Sequence, residues 1–273
     1  MSRSIPYFMV DSFTSEPFKG NPAGVCLLDK PLSNDFMQSI AIEVNLSETA
    51  FVQDQGDYFS IRYFSPIMEI PLCGHATLAS ARVLFDQNQD VNEIHFKTAE
   101  GLELQAYRNG EKVSLKFPNY GIIDRDAPKA LLDAMGIDSI LNSAYNHENL
   151  ELMIELEDAD KLRNLDPDFA AMKASINDIN GVVVTSKSNQ PDFDFESRYF
   201  WPWSGGNEDP VTGATHTFLT GYWTKKLGKT KLRAFQCSAR TGVLEVEVLS
   251  EEQILITGDT RIILSGEMTV LSN

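Results

Sequence analysis

Phe59-Ser60-Ile61-Arg62-Tyr63-Phe64-Ser65-Pro66 and Phe195-Glu196-Ser197-Arg198-Tyr199-Phe200-Trp201-Pro202 share one pattern, Phe-x-x-Arg-Tyr-Phe-x-Pro. The copies stand 136 positions apart in a chain of 273 residues. A turn-rich segment follows each and leads toward a helix: Pro71-Leu72-Cys73-Gly74-His75 in the first, Glu208-Asp209-Pro210-Val211-Thr212-Gly213-Ala214-Thr215-His216 in the second. Solenoids need three or more stacked short repeats, so two copies at half the chain length read as a duplicated domain. The expectation is two similar halves facing each other, with the chemistry between them.

Working outward, residues 5–13 and 22–28 are apolar and β-prone around the turn signal Gly20-Asn21-Pro22. Leu32 to Val44 predicts a helix, capped by Ser33, Asn34 or Asp35 and carrying Phe36, Ile40 and Val44 on one face. Strands are expected at 49–53, 58–64, 92–97, 101–107 and 112–117, and a small-residue helix from Gly74 to Phe85. Phe117-Pro118-Asn119-Tyr120-Gly121 marks the boundary, giving an N-terminal domain of 1–118, to which a strand near 262–273 returns, and a C-terminal domain of 119–261. The second half predicts a short helix over 128–135, a strand and acidic helical material over 150–176, and strands at 181–185 and 193–200. A long helix from Val211 to Leu227, stopped by Gly228, and four or five short strands after Lys231 complete it. Many strands with one long helix per half indicate an α+β fold, without the alternation of a Rossmann sheet.

Halves of this size can each bury a core without disulfide or metal support. A net charge of −16 would repel a phosphate backbone, which argues against nucleic-acid binding, though it leaves a small anionic substrate open. No apolar run approaches the roughly 18 residues of a membrane span. Cys26, Cys73 and Cys237 are an odd number without CxxC spacing, which points to a reducing, cytoplasmic setting. The run Phe200-Trp201-Pro202-Trp203 is either a homodimer surface or a packed wall.

Glu48 is the first candidate for chemistry. It lies between a helix and a strand with apolar neighbours, a setting suited to proton transfer or simply a helix-end charge. His75 opens a helix behind Cys73-Gly74, where backbone N–H groups suit a carboxylate; the plainer alternative is a histidine bonded to a nearby carbonyl. Asp209, at the matching place in the second half, is by default an N-cap. Cys73 is a possible thiolate base, but the second half offers Pro210, Val211 and Thr212 where an opposing thiol would stand. Arg62 and Arg198 read as structural ion-pair partners. His95, His147 and His216 lack metal-ligand spacing, and no dinucleotide or nucleoside-triphosphate fingerprint occurs.

Taken in order, Val10-Asp11-Ser12-Phe13, Gly20-Asn21-Pro22-Ala23, Asn45 to Val52, Arg62 to Pro66, Gly74-His75 and Glu208 to Gly213 resemble the phenazine-biosynthesis PhzF family, of the diaminopimelate epimerase-like fold. The resemblance implies two pseudo-symmetric domains, each a barrel-like sheet around a central helix. It implies that Glu48 is the acid/base residue, that His75 and Asp209 hold and polarise substrate, and that Ser47, Gly74 and Gly213 line the same pocket. Where the phenazine enzyme has Ser after Thr-Gly, this chain has Ala214 and then Thr215. A hydroxyl contact there is lost or moved. The expected function is a cofactor-independent isomerase of a small carboxylic acid, needing no metal. An amino-acid epimerase using Cys73 is the alternative within the fold, and a non-catalytic ligand-binding protein is the alternative outside catalysis.

Overall fold

The structure, a computed structural model, describes residues 2–203 and 206–271. In chain order the elements begin β1 (Ser2–Ser12), β2 (Asn21–Leu28), α1 (Asn34–Val44), β3 (Glu48–Asp54), β4 (Phe59–Phe64), β5 (Glu69–Ile70), α2 (Gly74–Gln87), β6 (Glu93–Lys97), β7 (Glu103–Asn109) and β8 (Lys112–Pro118). They continue with β9 (Ile123–Asp124), α3 (Lys129–Met135), β10 (Asn142–Asn146), β11 (Glu151–Leu156), α4 (Ala159–Arg163), α5 (Phe169–Ser175), β12 (Gly181–Lys187) and β13 (Phe195–Phe200). The last are β14 (Glu208–Asp209), α6 (His216–Leu227), β15 (Lys231–Gln236), β16 (Gly242–Val248) and β17 (Gln253–Leu271). Two compact units result, one of Met1–Lys116 with Thr257–Asn273 and one of Phe117–Ile256.

In the first unit the pairings run β1–β2–β3–β4–β6–β7–β8–β17 and return to β1, closing a barrel of 8 strands. Helix α2 is buried on nearly every face, only Gly74, Arg82, Asp86 and Gln87 falling outside its buried set, and it packs on β1, β2, β3 and β7. A helix apolar all round belongs inside a core, and here Ala76, Ala79 and Ala81 keep it slim enough to lie within the ring. Ser33 caps α1 by accepting from the Phe36 amide at 3.3 Å, and Asn45, left-handed at φ 51°, ends it.

In the second unit β9, β10, β11, β12, β13, β15 and β16 pair in that order, the β11–β12 and β13–β15 ladders parallel. Trp223 of α6 stacks on Phe195 at 5.5 Å in the interior. The Phe200–Trp203 run packs inside this unit: Phe200 is buried, and Trp203 sits against the same cluster with its indole N–H donating to the Ile176 carbonyl at 2.8 Å.

Two expectations change. Helix α6 starts at His216, because the segment before it spends hydrogen bonds outside a helix; the Thr212 amide donates to Gln236 Oε1 at 2.9 Å. Among the described residues, the chain from Lys231 forms three strands rather than four or five, the last 19 residues long. Gly258 does not turn that strand. It makes room for Phe13, whose ring would lie 2.6 Å from an added Cβ.

Candidate active site

Glu48 opens β3 one short link after the left-handed Asn45 turns the chain out of α1. On the parallel ladder to β2 it stands opposite Ala23, a neighbour too small to crowd a carboxylate. His75 comes from the first turn of α2, whose Cys73 N-cap accepts at its carbonyl from the Thr77 amide at 3.0 Å and the Thr77 hydroxyl at 2.7 Å. Ser12 of β1 fixes the histidine backbone, its hydroxyl donating to the His75 carbonyl at 2.8 Å.

Three reactive side chains therefore meet in the first unit. His75 Nε2 lies 3.1 Å from Glu48 Oε2, and Cys73 Sγ lies 3.4 Å from His75 Nδ1. The Asn21 amide nitrogen is 3.2 Å from His75 Nδ1, and the Ser47 hydroxyl donates to Asn21 Oδ1 at 3.4 Å. Glu48, Cys73 and His75 are all buried. Burial opposes charge on the imidazole, yet Cys73 and Glu48 beside it outweigh that and hold it well above its usual range. Burial pushes the Cys73 thiol up, and the adjacent imidazole only partly offsets the rise. The three ligand atoms also lie within 4.8 Å of one another, a Cys, His and carboxylate set that a zinc ion accepts. That convergence was invisible in the sequence spacing.

The remaining candidates belong to the second unit. Asp209 is on β14, paired with Tyr199, and stands seven positions before α6, so it is not the N-cap of that helix. Its carboxylate accepts from the Thr212 hydroxyl, while Gln236 Nε2 donates to the Asp209 carbonyl at 2.9 Å. Ladder register also corrects the expected pairing of Asp209 with His75. Tyr63 faces Ile70 where Tyr199 faces Asp209, so Ile70 is the counterpart; the second half simply carries three more residues in that loop.

Gly213 and Ala214 form the turn into α6, accepting at their carbonyls from the His216 and Thr217 amides, each at 3.1 Å. Thr215 does not restore the hydroxyl that Ala214 lacks, since its Oγ1 is buried and donates to the Thr212 carbonyl at 3.0 Å. His216 Nδ1 donates to the same carbonyl at 2.7 Å, and burial lowers this imidazole to about 4, leaving it neutral. Arg62 and Arg198 are structural, as read: each forks onto a glutamate, Glu69 at 2.6 and 2.7 Å and Glu208 at 2.7 and 2.9 Å, over the ring of Phe64 or Phe200. The sequence reading missed Asn21 as a partner of His75, although it stood in a recognised turn signal. It also missed Glu151, an acid opening an apolar strand.

Comparison with known proteins agrees with this architecture. Residues 10–271 match the family model described as phenazine biosynthesis-like protein. An uncharacterized isomerase of Pseudomonas aeruginosa is 42% identical, the match covering 96% of this chain and 97% of that one. An uncharacterized isomerase of Halalkalibacterium halodurans is 39% identical over 96% of this chain and 98% of its own. The crystal structure of a PhzF family protein from Enterococcus faecalis superposes with a TM-score of 0.91 at 39% identity, covering 97% of this chain and 99% of that chain. A family-model match over residues 10–271, relatives 39% and 42% identical over nearly their whole length, and a solved family structure of the same fold place this chain in the phenazine biosynthesis-like, or PhzF, family.

Proposed function

We propose that this protein is an isomerase that moves a proton and a double bond within a small, cyclic or unsaturated carboxylic acid, with Glu48 as the proton carrier. The observation that supports it is the buried Glu48–His75 pair at 3.1 Å. A carboxylate held there can take a proton from an acidic carbon while the C–H electrons pass into the conjugated acid. The same group, now protonated, returns the proton to a second carbon on that face, and the double bond has shifted with no net change of electrons. His75 orients the carboxylate and supplies positive charge near the developing anion. Asn21 and Ser47 fix the ring. Asp209, Gly213 and Ala214 enter the proposal as substrate-binding groups of the second unit.

The test is solvent-deuterium incorporation, followed by NMR, into a panel of small unsaturated acids in D₂O. Glu48→Gln should lower exchange by about 10²- to 10⁴-fold while ligand binding changes only a few-fold; retained exchange removes Glu48 from the chemistry. Cys73 at 3.4 Å from His75 keeps the epimerase reading in view. Cys73→Ser should leave most exchange intact, and a loss as large as that of Glu48→Gln would favour the thiol as base. Metal analysis of the purified protein decides whether the same donors carry an ion.

A further inference from the structure

In the second unit a buried acid stands where the first unit has none. Glu151 is 3% exposed, its Oε2 is sealed from solvent and makes no hydrogen bond among the described residues, and no step proposed above uses it. Strand register shows what it faces. Glu151 pairs with Gly181 on the β11–β12 ladder, Val183 pairs with Tyr199, and Tyr199 pairs with Asp209. Directly paired residues share a sheet face, and residues two apart on a strand share it too. Glu151, Gly181, Tyr199 and Asp209 therefore lie on one face.

The Tyr199 phenol crosses this face over Gly181, where an added Cβ would sit 2.4 Å from its oxygen. That puts the phenol beside the Glu151 carboxyl at one end and in line with Asp209 at the other. The preceding residue, Leu150, is left-handed at φ 56°, a conformation that costs a bulky side chain energy, and its carbonyl accepts from the Asn180 amide at 2.7 Å. The backbone is thus bent and pinned at the point that delivers Glu151 to this face.

We infer that Glu151 is a positioning residue for Asp209, acting through the Tyr199 phenol. The groups bearing on it are Tyr199 of β13, Asp209 of β14 and the Asn149 amide. Burial pushes the Glu151 carboxyl up to about 8; the Tyr199 hydroxyl opposes the rise and the charge of Asp209 adds to it. The phenol itself is held well above its usual range, by burial first and then by Glu151, so it remains a neutral hydrogen-bonding group. At neutral pH the proton therefore stays on Glu151. This inference rests on the reading of Asp209 as a substrate-binding group, but its core is a physical coupling that can be measured with no substrate at all.

The experiment is a ¹³C-NMR titration of side-chain carboxyl carbons in the full-length protein. Glu151→Gln assigns the resonance by removing it. We expect Glu151 to titrate near pH 8, and Asp209→Asn to lower that midpoint by about half a pH unit or more. Tyr199→Phe should move it as well. A Glu151 carbon that titrates with ordinary carboxylates, or one indifferent to Asp209→Asn, overturns the inference. Once an exchanging acid is found, the exchange rate of the unaltered protein should break near the same pH and that of Glu151→Gln should not; a break that survives the substitution also overturns it. Failure to find any exchanging acid counts against the isomerase reading alone and leaves the coupling result standing.

Discussion

The two units place equivalent strands around equivalent arginines, yet they distribute acid differently. At the first rung of each parallel ladder, the first unit pairs Ala23 with Glu48 and the second pairs Glu151 with Gly181. The carboxyl has changed strands. The tyrosine of the repeat follows it: Tyr63 bonds the Thr77 hydroxyl of α2 at 2.6 Å, whereas Tyr199 leans over the glycine toward Glu151. Facing residues differ likewise, Ile70 in one half and Asp209 in the other. Duplication preserved the frame, the Arg–Glu forks with their aromatic platforms, and left the polar positions on the ladder to diverge. A carboxylate paired with imidazole is fit to move protons; a carboxyl beside a phenol and another acid is fit to hold one.

The sharpest way to break this comparison is to deny Tyr199 its path. Gly181→Ala should cost about 1–3 kcal/mol in denaturant unfolding, the usual penalty of overpacking a core, because the added methyl meets the phenol oxygen and its ring. Gly181→Ala combined with Tyr199→Leu should recover part of the loss. An Ala variant as stable as the parent would mean that the phenol does not lie over that strand.

pH sharpens the contrast next. Burial raises Glu151 in the folded state to about 8 from the ordinary carboxylate value of 4.5. Its contribution is complete below the unfolded-state value and is lost as pH rises through that window, the folded protein binding more protons there. Glu151→Gln should remove this slope, a difference of a few kcal/mol between the ends of the window. His216 works in the opposite sense. Burial lowers it to about 4 from 6.5, so its contribution is present above the higher value and lost as pH falls through the lower one. Urea melts at pH 5 and pH 8 read the glutamate, and melts between pH 6.5 and pH 4 read the histidine.

The smallest effect tests the preserved frame. Arg198 is 11% exposed at its side chain and Arg62 27%. Lysine cannot reproduce either fork, so Arg198→Lys should cost about 1–2 kcal/mol and Arg62→Lys less than about 1 kcal/mol. Equal costs would show that the two forks are energetically alike despite their different exposure.

Much of the frame was legible in the sequence. The repeated Arg-Tyr-Phe announced the duplication, and the small residues of Gly74 to Phe85 announced a helix destined for burial. Glu48 and His75 stood out because acid and imidazole broke apolar or glycine-rich surroundings, and the fold brings them into contact. What escaped depends on register. That Asp209 answers to Ile70 follows from three residues in a loop, which offset counting hides. That Glu151 is buried follows from which strand lies beside Gly181. The early start expected for α6 failed for a related reason, since Thr212 and its neighbours bond to Gln236, a residue 24 positions further on. Local pattern reveals elements; their polar partners come from elsewhere in the chain.

Strand β17 carries a last consequence. It closes the first barrel by pairing along β1, from Ser12 with Thr260 to Ser2 with Leu271. The whole of the other unit is made between these two strands, so the barrel that carries Glu48 keeps an open seam until its final stave has been synthesised.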